Sequence, residues 1–242
     1  MYCIETHSLT KLYSNTAAVD NLNLKIKSGE LFSLLGLNGA GKTTTIKMLT
    51  CLTQPTFGDA LLGGHSIKSS PHKVKSLIGV SPQETAVAPA LSVRENLELI
   101  CGIYGFSKEK TKEKTDMLSR DLDLGSVMDK KAGKLSGGFQ RRVSVAMALI
   151  SEPSVLFLDE PTLGLDVIAR NALWDVIRSL KGKVTIILTT HYMEEAKALS
   201  DRVGIMSKGS LLAVGSPEEL KSLAMADSFE SAFVSIVRGD LK

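Results

Sequence analysis

Residues 36–43 constrain this chain more than any other segment. They run Gly-Leu-Asn-Gly-Ala-Gly-Lys-Thr and fit the phosphate-binding pattern G-x-x-x-x-G-K-[ST]. The glycines let successive backbone N–H groups converge on a phosphate, an approach that a Cβ would block. Lys42 can reach the β- and γ-phosphates, and the hydroxyl of Thr43 can ligate Mg²⁺. An apolar run over 31–35 precedes the loop and a helical pattern follows it, so the sequence predicts a strand, a loop and an anion-binding helix N-terminus.

Apolar runs elsewhere in the chain indicate a parallel sheet around this loop. Residues 155–158 and 184–188 are continuously apolar, which is typical of parallel strands covered on both faces. The first thirty residues instead alternate between apolar and polar side chains, and they predict antiparallel strands ahead of the loop. We therefore expect two kinds of sheet in one chain.

A helical insertion and a C-terminal tail complete the predicted plan. A capping box over 92–95 opens a helix through about residue 104, and a lysine- and glutamate-rich helix follows over 107–122. The tail, with Phe229, Phe233 and Ile236, is interpreted as a short amphipathic helix packed on the core. The prediction is a single α/β domain over 1–242. Its parts are a mostly parallel sheet core with an N-terminal antiparallel β subdomain (1–83 and 155–225), an inserted α-helical subdomain (84–154) and the tail (226–242).

Composition restricts the setting of the protein. A net charge of +3 is too small to indicate a nucleic-acid partner. Three widely spaced cysteines, Cys3, Cys51 and Cys101, indicate a reducing compartment and no metal site built on them. The N-terminus lacks a basic-then-apolar signal pattern, and no apolar run reaches the roughly 20 residues that span a bilayer. We expect a cytoplasmic protein whose membrane role, if it has one, comes through a partner.

Two acidic residues and a histidine follow the predicted parallel strands. Asp159 and Glu160 end the run at 155–158, and His191 comes after the run at 184–188 and two threonines. The carboxyl ends of parallel strands form the ligand edge of an open α/β sheet. Next to a phosphate loop, Asp159 is expected to help hold Mg²⁺ and Glu160 to polarise an attacking water. A lone histidine is more often structural, so His191 by itself stays ambiguous.

A second candidate anion site lies at Ser136-Gly137-Gly138, just before an apolar helical pattern. Small residues at a helix N-terminus expose backbone N–H groups to an anion. Because the first loop already serves a γ-phosphate, this site suggests a nucleotide that is bound to another copy of the chain. A plain capped helix is the alternative interpretation.

Taken in order, these motifs resemble the nucleotide-binding subunit of ABC transporters over nearly the whole chain. The matching segments are the Walker A loop (36–43), the Q-loop glutamine Gln83, the signature (135–138), Walker B (155–159) with the catalytic glutamate Glu160, the D-loop (161–166) and the switch histidine His191. Tyr13 stands where the family places an aromatic that stacks on adenine. One position departs from the pattern: Phe139 replaces the glutamine that often follows the signature glycines.

The resemblance implies a P-loop NTPase that binds ATP and Mg²⁺ and hydrolyses ATP. The implied catalytic residues are Glu160, His191 and Gln83, and the implied metal ligands are Thr43, Gln83 and Asp159. The implied nucleotide-binding residues are Tyr13, Gly36, Leu37, Asn38, Gly39, Ala40, Gly41, Lys42, Thr43, Thr44, Ser136, Gly137, Gly138 and Asp166.

The resemblance also implies partners. Two copies, or one copy and a paralogue, would close head to tail around two ATP molecules. A separate membrane permease would dock in a groove near residues 83–89, which places the subunit peripherally on the cytoplasmic face of the membrane. Likeness to the subfamily that exports drugs, lipids, polysaccharides or sodium favours export, and no nucleic-acid partner is expected. The short C-terminal end is expected to leave no room for a dedicated regulatory domain after Leu220.

Two alternatives stay open from the sequence. The first is a soluble ABC ATPase without a transporter, acting in translation, repair or cofactor assembly. Such proteins usually carry paired domains, long coiled coils or zinc inserts, which this chain lacks. The second is a phosphate-loop kinase, which would have no use for the signature at 135–138.

Overall fold

Two β-sheets form the framework of the computed structural model, which describes residues 1–240. The strands are β1 (Tyr2–Tyr13), β2 (Thr16–Lys27), β3 (Leu31–Leu35), β4 (Phe57–Leu62), β5 (His65–Ser66), β6 (Ile78–Ser81), β7 (Val155–Asp159), β8 (Thr185–Thr190), β9 (Arg202–Ser207) and β10 (Ser210–Gly215). The helices are α1 (Lys42–Leu49), α2 (Pro71–Leu77), α3 (Val93–Ile103), α4 (Lys108–Asp121), α5 (Gly137–Leu149), α6 (Val167–Leu180), α7 (Met193–Leu199), α8 (Pro217–Leu223) and α9 (Phe229–Arg238).

The first sheet is antiparallel and has the order β2-β1-β4-β5. The second has the order β10-β9-β3-β8-β7-β6, and every pair in it is parallel except β10–β9. Strands β3, β7 and β8 are buried along their whole length, as their continuous apolar runs require. The predicted division into an antiparallel part and a mostly parallel core is confirmed.

Two strand ends differ from the sequence prediction. The run expected at 184–188 continues as strand through Thr189 and Thr190, which pair with Leu34 and Leu35 of β3. Likewise β7 includes Asp159, which pairs with Thr189. Threonine is β-branched and fits a pleated sheet, and both hydroxyls here find hydrogen-bond partners, so the ladder extends beyond the apolar residues.

Helices α3, α4 and α5 form the helical part of the chain and share one hydrophobic cluster that includes Leu97, Leu118 and Val143. The capping box before α3 is confirmed: the Ser92 side chain accepts from the Glu95 N–H, and the Glu95 carboxylate accepts from the Ser92 N–H at 2.7 Å. The boundaries predicted for this subdomain, at 84 and 154, stay a prediction.

The C-terminal helix α9 lies on the core. Phe229, Phe233 and Ile236 are buried in a cluster with residues of β3, β9 and α8, and Ala232 on the same helix is also buried. This is the core packing that the amphipathic pattern predicts, although the last two residues of the 226–242 tail lie outside the described residues. Within residues 1–240, no helix combines the length and apolar character that crossing a bilayer requires.

Candidate functional site

The carboxyl ends of neighbouring strands bring the predicted motifs to one edge of the second sheet. Because β3, β8, β7 and β6 are adjacent, the segments that leave them meet around a cavity of about 530 Å³. Strand β1 of the other sheet adds one wall. The lining residues are Tyr13, Ala18, Asn38, Gly39, Ala40, Gly41, Lys42, Thr43, Thr44, Gln83, Glu160, Leu163 and His191.

Glycine is required at two positions of the loop between β3 and α1. A Cβ on Gly36 would lie 2.4 Å from the carbonyl oxygen of Met206. Gly41, with φ of +102°, adopts a backbone conformation that side chains disfavour, and a Cβ there would lie 2.4 Å from the carbonyl oxygen of Ala18. The loop therefore packs tightly against its neighbours and delivers the N-terminus of α1 to the cavity, where the first N–H groups of the helix have no intrahelical partners.

Lys42 is buried at the wall of the cavity. Its Nζ donates to the carbonyl oxygens of Gly36, at 2.8 Å, and Leu37, at 3.2 Å. The same nitrogen lies 3.6 Å from Oε1 of Glu160, and both side chains are largely shielded from water. The loop thus fixes a positive charge where a phosphate can reach it.

Thr189 organises the two carboxylates that follow β7. Its hydroxyl donates to Oδ1 of Asp159 at 2.5 Å and accepts from the N–H of Glu160 at 3.0 Å. Oδ1 of Asp159 also accepts from the hydroxyl of Thr43 at 3.2 Å, which joins the strand end to the phosphate loop. Asp159 consequently faces the start of α1.

Glu160 has a left-handed backbone conformation, with φ of +45°. That conformation is costly for a residue with a side chain and persists only where the surroundings enforce it. The N–H of Glu160 is shared between the hydroxyl of Thr189 and its carbonyl oxygen, at 3.0 and 3.1 Å, which holds the turn in place. The turn directs the Glu160 carboxylate towards Lys42 and His191.

His191 lies beside Glu160, with Nδ1 3.2 Å from Oε2. The geometry does not make a hydrogen bond, so Nδ1 is a buried polar atom without a hydrogen-bond partner among residues 1–240. The ring packs against Tyr192 with centroids 4.1 Å apart. A ring held in this way can direct a nitrogen at a group bound in the cavity.

Gln83 and Tyr13 reach the cavity from more distant parts of the chain. Gln83 follows β6 and is exposed. Tyr13 ends β1 with 47% of its surface exposed, and Nζ of Lys11 lies 5.2 Å from its ring centroid. An exposed aromatic ring at a cavity mouth is suited to stacking on a planar base.

Several predicted nucleotide-binding residues do not line this cavity. Ser136 and Gly137 are exposed at the N-terminus of α5, and a Cβ on Gly138 would lie 2.9 Å from Cβ of Ala169. Asp166 is the N-cap of α6 and accepts from the N–H of Ala169 at 2.8 Å. Gly36 and Leu37 are not among the lining residues either. In a single chain the signature residues and Asp166 thus stand apart from the phosphate loop.

Sequence reasoning missed four residues at or near the site. Thr189 and Arg141 carried a signal: Thr189 precedes His191 at a strand end, and Arg141 shares a helix face with the buried Val145 and Ala148. Ala18 lines the cavity and belongs to no motif, whereas Leu163 lines it from within the D-loop segment 161–166 but was not named as a binding residue.

A phosphate loop at a strand–helix junction, an adjacent aspartate–glutamate pair and a positioned histidine define a phosphate-loop nucleoside triphosphatase domain. Comparison with known proteins names the family. The ABC transporter family model matches residues 19–163. The chain therefore belongs to the ABC transporter family and forms an ATP-binding ATPase domain of it, which confirms the resemblance and excludes the kinase alternative.

Curated relatives agree with this assignment. The daunorubicin/doxorubicin resistance ATP-binding protein DrrA of Streptomyces peucetius is 40% identical over 90% of this chain and 67% of its own length. ABC transporter A family member 11 of Arabidopsis thaliana is 43% identical over 97% of this chain. The probable multidrug ABC transporter ATP-binding protein YbhF of Escherichia coli is 39% identical over the same share. The chain spans only 26% and 41% of these last two relatives.

Solved structures share the fold. An ATP-binding subunit of an ABC transporter superposes with a TM-score of 0.85 at 26% identity, covering 97% of this chain and 99% of its own. The ATP-binding cassette MJ0796, in a dimeric post-hydrolysis state bound to ADP and Pi, gives 0.78 at 27% identity over 88% and 98%.

Proposed function

We propose that this chain hydrolyses ATP as a subunit of a membrane transporter, closing with a second copy around ATP to drive a separate permease in the direction of export. The observation that carries the proposal is the division of the site. The phosphate loop lines a cavity, whereas Ser136 and Gly137 are exposed at a helix N-terminus that does not line it. Each chain thus presents two half-sites, which a two-fold head-to-tail dimer would join.

Binding of ATP would use the loop, its lysine and the aromatic ring. The N–H groups of residues 38–44 and the ammonium of Lys42 would hold the phosphates, with little reorganisation because the loop carbonyls already fix Lys42. The exposed ring of Tyr13 would stack on the adenine. Ser136, Gly137 and Gly138 of the second copy would contact the γ-phosphate from the opposite side, with Asp166 close to the junction.

The residues present fit a magnesium ion. The Thr43 hydroxyl and Oδ1 of Asp159 lie 3.2 Å apart beside the phosphate loop, and oxygen donors of this kind suit Mg²⁺. The exposed amide of Gln83, on the same cavity, would be the third protein ligand. Bound there, Mg²⁺ would neutralise charge on the phosphate oxygens.

Hydrolysis would depend on Glu160 and His191. The Glu160 carboxylate would accept a hydrogen bond, and then the proton, from a water that attacks the γ-phosphorus as the bond to the β–γ bridging oxygen breaks. The strained backbone of Glu160 keeps this carboxylate next to Lys42 rather than in solvent. His191 would donate from its ring to a γ-phosphate oxygen. The products are ADP and phosphate, and loss of the bridging γ-phosphate would let the dimer open.

A second cavity supports a permease partner. It is a groove of about 490 Å³ beside β6, between the ends of α3 and α5. Leu52, Ile103 and Tyr104 line it and are exposed, so an apolar partner helix would bury them. Of the residues 83–89 expected to mark the dock, Ala86 lines this groove.

Named relatives favour transport over a soluble role. One solved neighbour, cbiO1 from Clostridium perfringens, is part of the ABC transporter complex cbiONQ, and DrrA is a drug-resistance ATP-binding protein. By analogy we place this subunit on the cytoplasmic face of the membrane, held there by its permease. Co-expression with a multi-span permease should move the chain into the membrane fraction, whereas a soluble ATPase of translation or repair would stay outside it.

The dimer is tested by trapping it. With ATP, Glu160→Gln should bind nucleotide, hydrolyse it at a rate reduced at least about 100-fold and elute as a dimer on sizing. Lys42→Ala is the control and should lose most ATP binding and stay a monomer, because a charge-assisted phosphate contact is removed. A Glu160→Gln chain that remains monomeric at saturating ATP would contradict the proposal.

The shared site is tested by mixing variants. Ser136→Arg disrupts the signature half-site and Lys42→Ala the phosphate-loop half-site, so each variant alone should be inactive. A mixed dimer restores one complete site and should recover part of the activity. Absence of any recovery, with dimers verified by sizing, would show that the two half-sites do not combine.

A further inference from the structure

The guanidinium of Arg141 joins helix α5 to the loop that follows β6. One terminal nitrogen donates to the carbonyl oxygen of Pro82 and the other to that of Gln83, both at 2.5 Å. The side chain is 4% exposed and, within residues 1–240, forms no ion pair with a carboxylate. A buried cation therefore donates hydrogen bonds to two consecutive backbone carbonyls instead of pairing with a carboxylate.

Burying the guanidinium of Arg141 costs free energy, so its presence here calls for a geometric reason. Removing a guanidinium from water is costly, and burial lowers the pKa of Arg141, opposed by the charges of Asp159 and Glu195. Apolar side chains would pack the same helix face without this cost. The planar fork of arginine, however, can hold two adjacent acceptors in fixed positions, which a lysine or an apolar residue cannot do.

The position of Arg141 on α5 links the signature to Gln83. Arg141 lies one helical turn after Gly138. Helix α5 therefore carries the exposed signature at its N-terminus and, one turn later, the side chain that bonds to the carbonyl of Gln83. Gln83 in turn lines the cavity of the same chain. A shift of α5 therefore moves the backbone of Gln83 with it.

We propose that Arg141 is a positioning residue that fixes Gln83 to helix α5, so that contact of the signature with a nucleotide on the partner copy sets the position of Gln83 in this chain's own cavity. The inference rests on the proposed ATP-bound dimer. In that dimer the contact would couple the two nucleotide sites. When ATP occupies the partner's site, it contacts the signature of this chain, and Arg141 then places Gln83 correctly in this chain's own site. Hydrolysis is then cooperative in ATP because of this contact.

Arg141→Lys and Arg142→Lys are the test pair. Arg142 is the next residue of α5, but its guanidinium bonds to the exposed Asp123 at 3.2 Å and stacks on Phe139. Both variants keep the charge of the helix, and thermal melting checks that both fold. We expect Arg141→Lys to bind ATP within about twofold of wild type, because Lys42 and the loop are untouched. Its kcat should fall about 10- to 100-fold and its Hill coefficient to about 1, while Arg142→Lys stays near wild type.

Mixed dimers separate positioning from general damage to α5. In the first, an Arg141→Lys chain pairs with a Lys42→Ala chain, so the one complete site relies on the altered chain's Gln83. In the second, a chain carrying both substitutions pairs with wild type, so the one complete site takes only its signature from the altered chain. Because a Lys42→Ala site holds little ATP, these dimers test whether Arg141 keeps Gln83 in place, while the Hill coefficient tests the coupling between sites. We expect the first to be slow and the second to match a dimer in which the double variant is replaced by Lys42→Ala alone.

Equal slowing of the two mixed dimers would mean that Arg141 merely holds α5 together and would overturn the proposal. So would an Arg141→Lys chain with the kcat and Hill coefficient of Arg142→Lys. If wild type itself neither dimerises with ATP nor hydrolyses it, the proposed function fails instead, and the two failures are thereby distinguished.

Discussion

The hydroxyl of Thr189 bonds to both Asp159 and Glu160, and Thr189→Val isolates its contribution. Valine is β-branched like threonine and close to it in shape and volume, so we expect the fully buried side chain at 189 to keep its packing against β3 and β7. The substitution removes the hydrogen bond donated to Asp159 and the one accepted from the N–H of Glu160.

The expected cost follows from these contacts. A hydrogen bond to a carboxylate contributes about 1.5–3 kcal/mol. The N–H of Glu160 keeps the carbonyl oxygen of Thr189 at 3.1 Å, and Asp159 keeps Thr43, so neither group is left without a partner. We therefore expect a loss of about 1.5–3 kcal/mol in the free energy of unfolding, or about 3–12 °C in Tm for a domain of this size. Because Asp159 and Glu160 both shift, kcat for ATP hydrolysis should fall about 10- to 100-fold.

Urea unfolding and steady-state phosphate release are the assays, and Thr185→Val is the matched control. Thr185 is buried on the same strand, and its hydroxyl accepts from the N–H of Gly29 at 3.0 Å, far from the carboxylates. It should lose about 0.5–1.5 kcal/mol of stability and keep its kcat. Equal losses of stability in the two variants, or an unchanged kcat in Thr189→Val, would refute the reasoning.

Three further substitutions test other parts of the structure. Burial raises the pKa of the Glu195 carboxyl above its ordinary value of 4.5, so the folded chain holds the proton more tightly and wild type loses stability as the pH rises from that value. Glu195→Gln keeps an acceptor for Trp174 and should gain stability over wild type at about pH 8 but not at about pH 4, as urea unfolding at both pH values would show. Gly36→Ala would place a Cβ against the carbonyl oxygen of Met206 and should cost about 1–3 kcal/mol while weakening ATP binding, measured by thermal melting and calorimetric titration. Phe229→Ala should lower the free energy of unfolding in urea by about 3–5 kcal/mol, because this first side chain of α9 is fully buried in the core. An unchanged midpoint would show that the tail does not belong to the core.

Much of this fold could be predicted from the sequence because its causes are local. The glycines of 36–41, the continuous apolar runs that became β3, β7 and β8, and the capping box before α3 all depend on residues within a turn or a strand of each other. The same holds for the amphipathic helix over 229–238. Motif order then predicted which residues would gather at the sheet edge, and the cavity contains Tyr13, Gln83, Glu160 and His191 together.

The sequence did not predict features that depend on contacts between residues far apart in the chain. Strand β8 was expected to stop at 188, since an apolar run does not show that two threonines continue a ladder with β3. It also does not show that the hydroxyl of Thr189 donates to Asp159 or that the hydroxyl of Thr190 accepts from the N–H of Tyr192. From the sequence alone, Arg141 is indistinguishable from any other charged residue in a helix. Its role appears only when α5 packs beside β6 and brings it to carbonyls 58 and 59 residues away.

The sequence by itself determined the chemistry of this protein: a phosphate loop, an acidic pair and a signature, each encoded by adjacent residues whose backbone and charge requirements are short-range. The tertiary structure decided how that chemistry is held. It placed one hydroxyl between Asp159 and Glu160, put the Glu160 backbone into a left-handed turn, and separated the signature from the loop. These are consequences of strand order and helix packing, which depend on the burial of the whole apolar core rather than on any one segment.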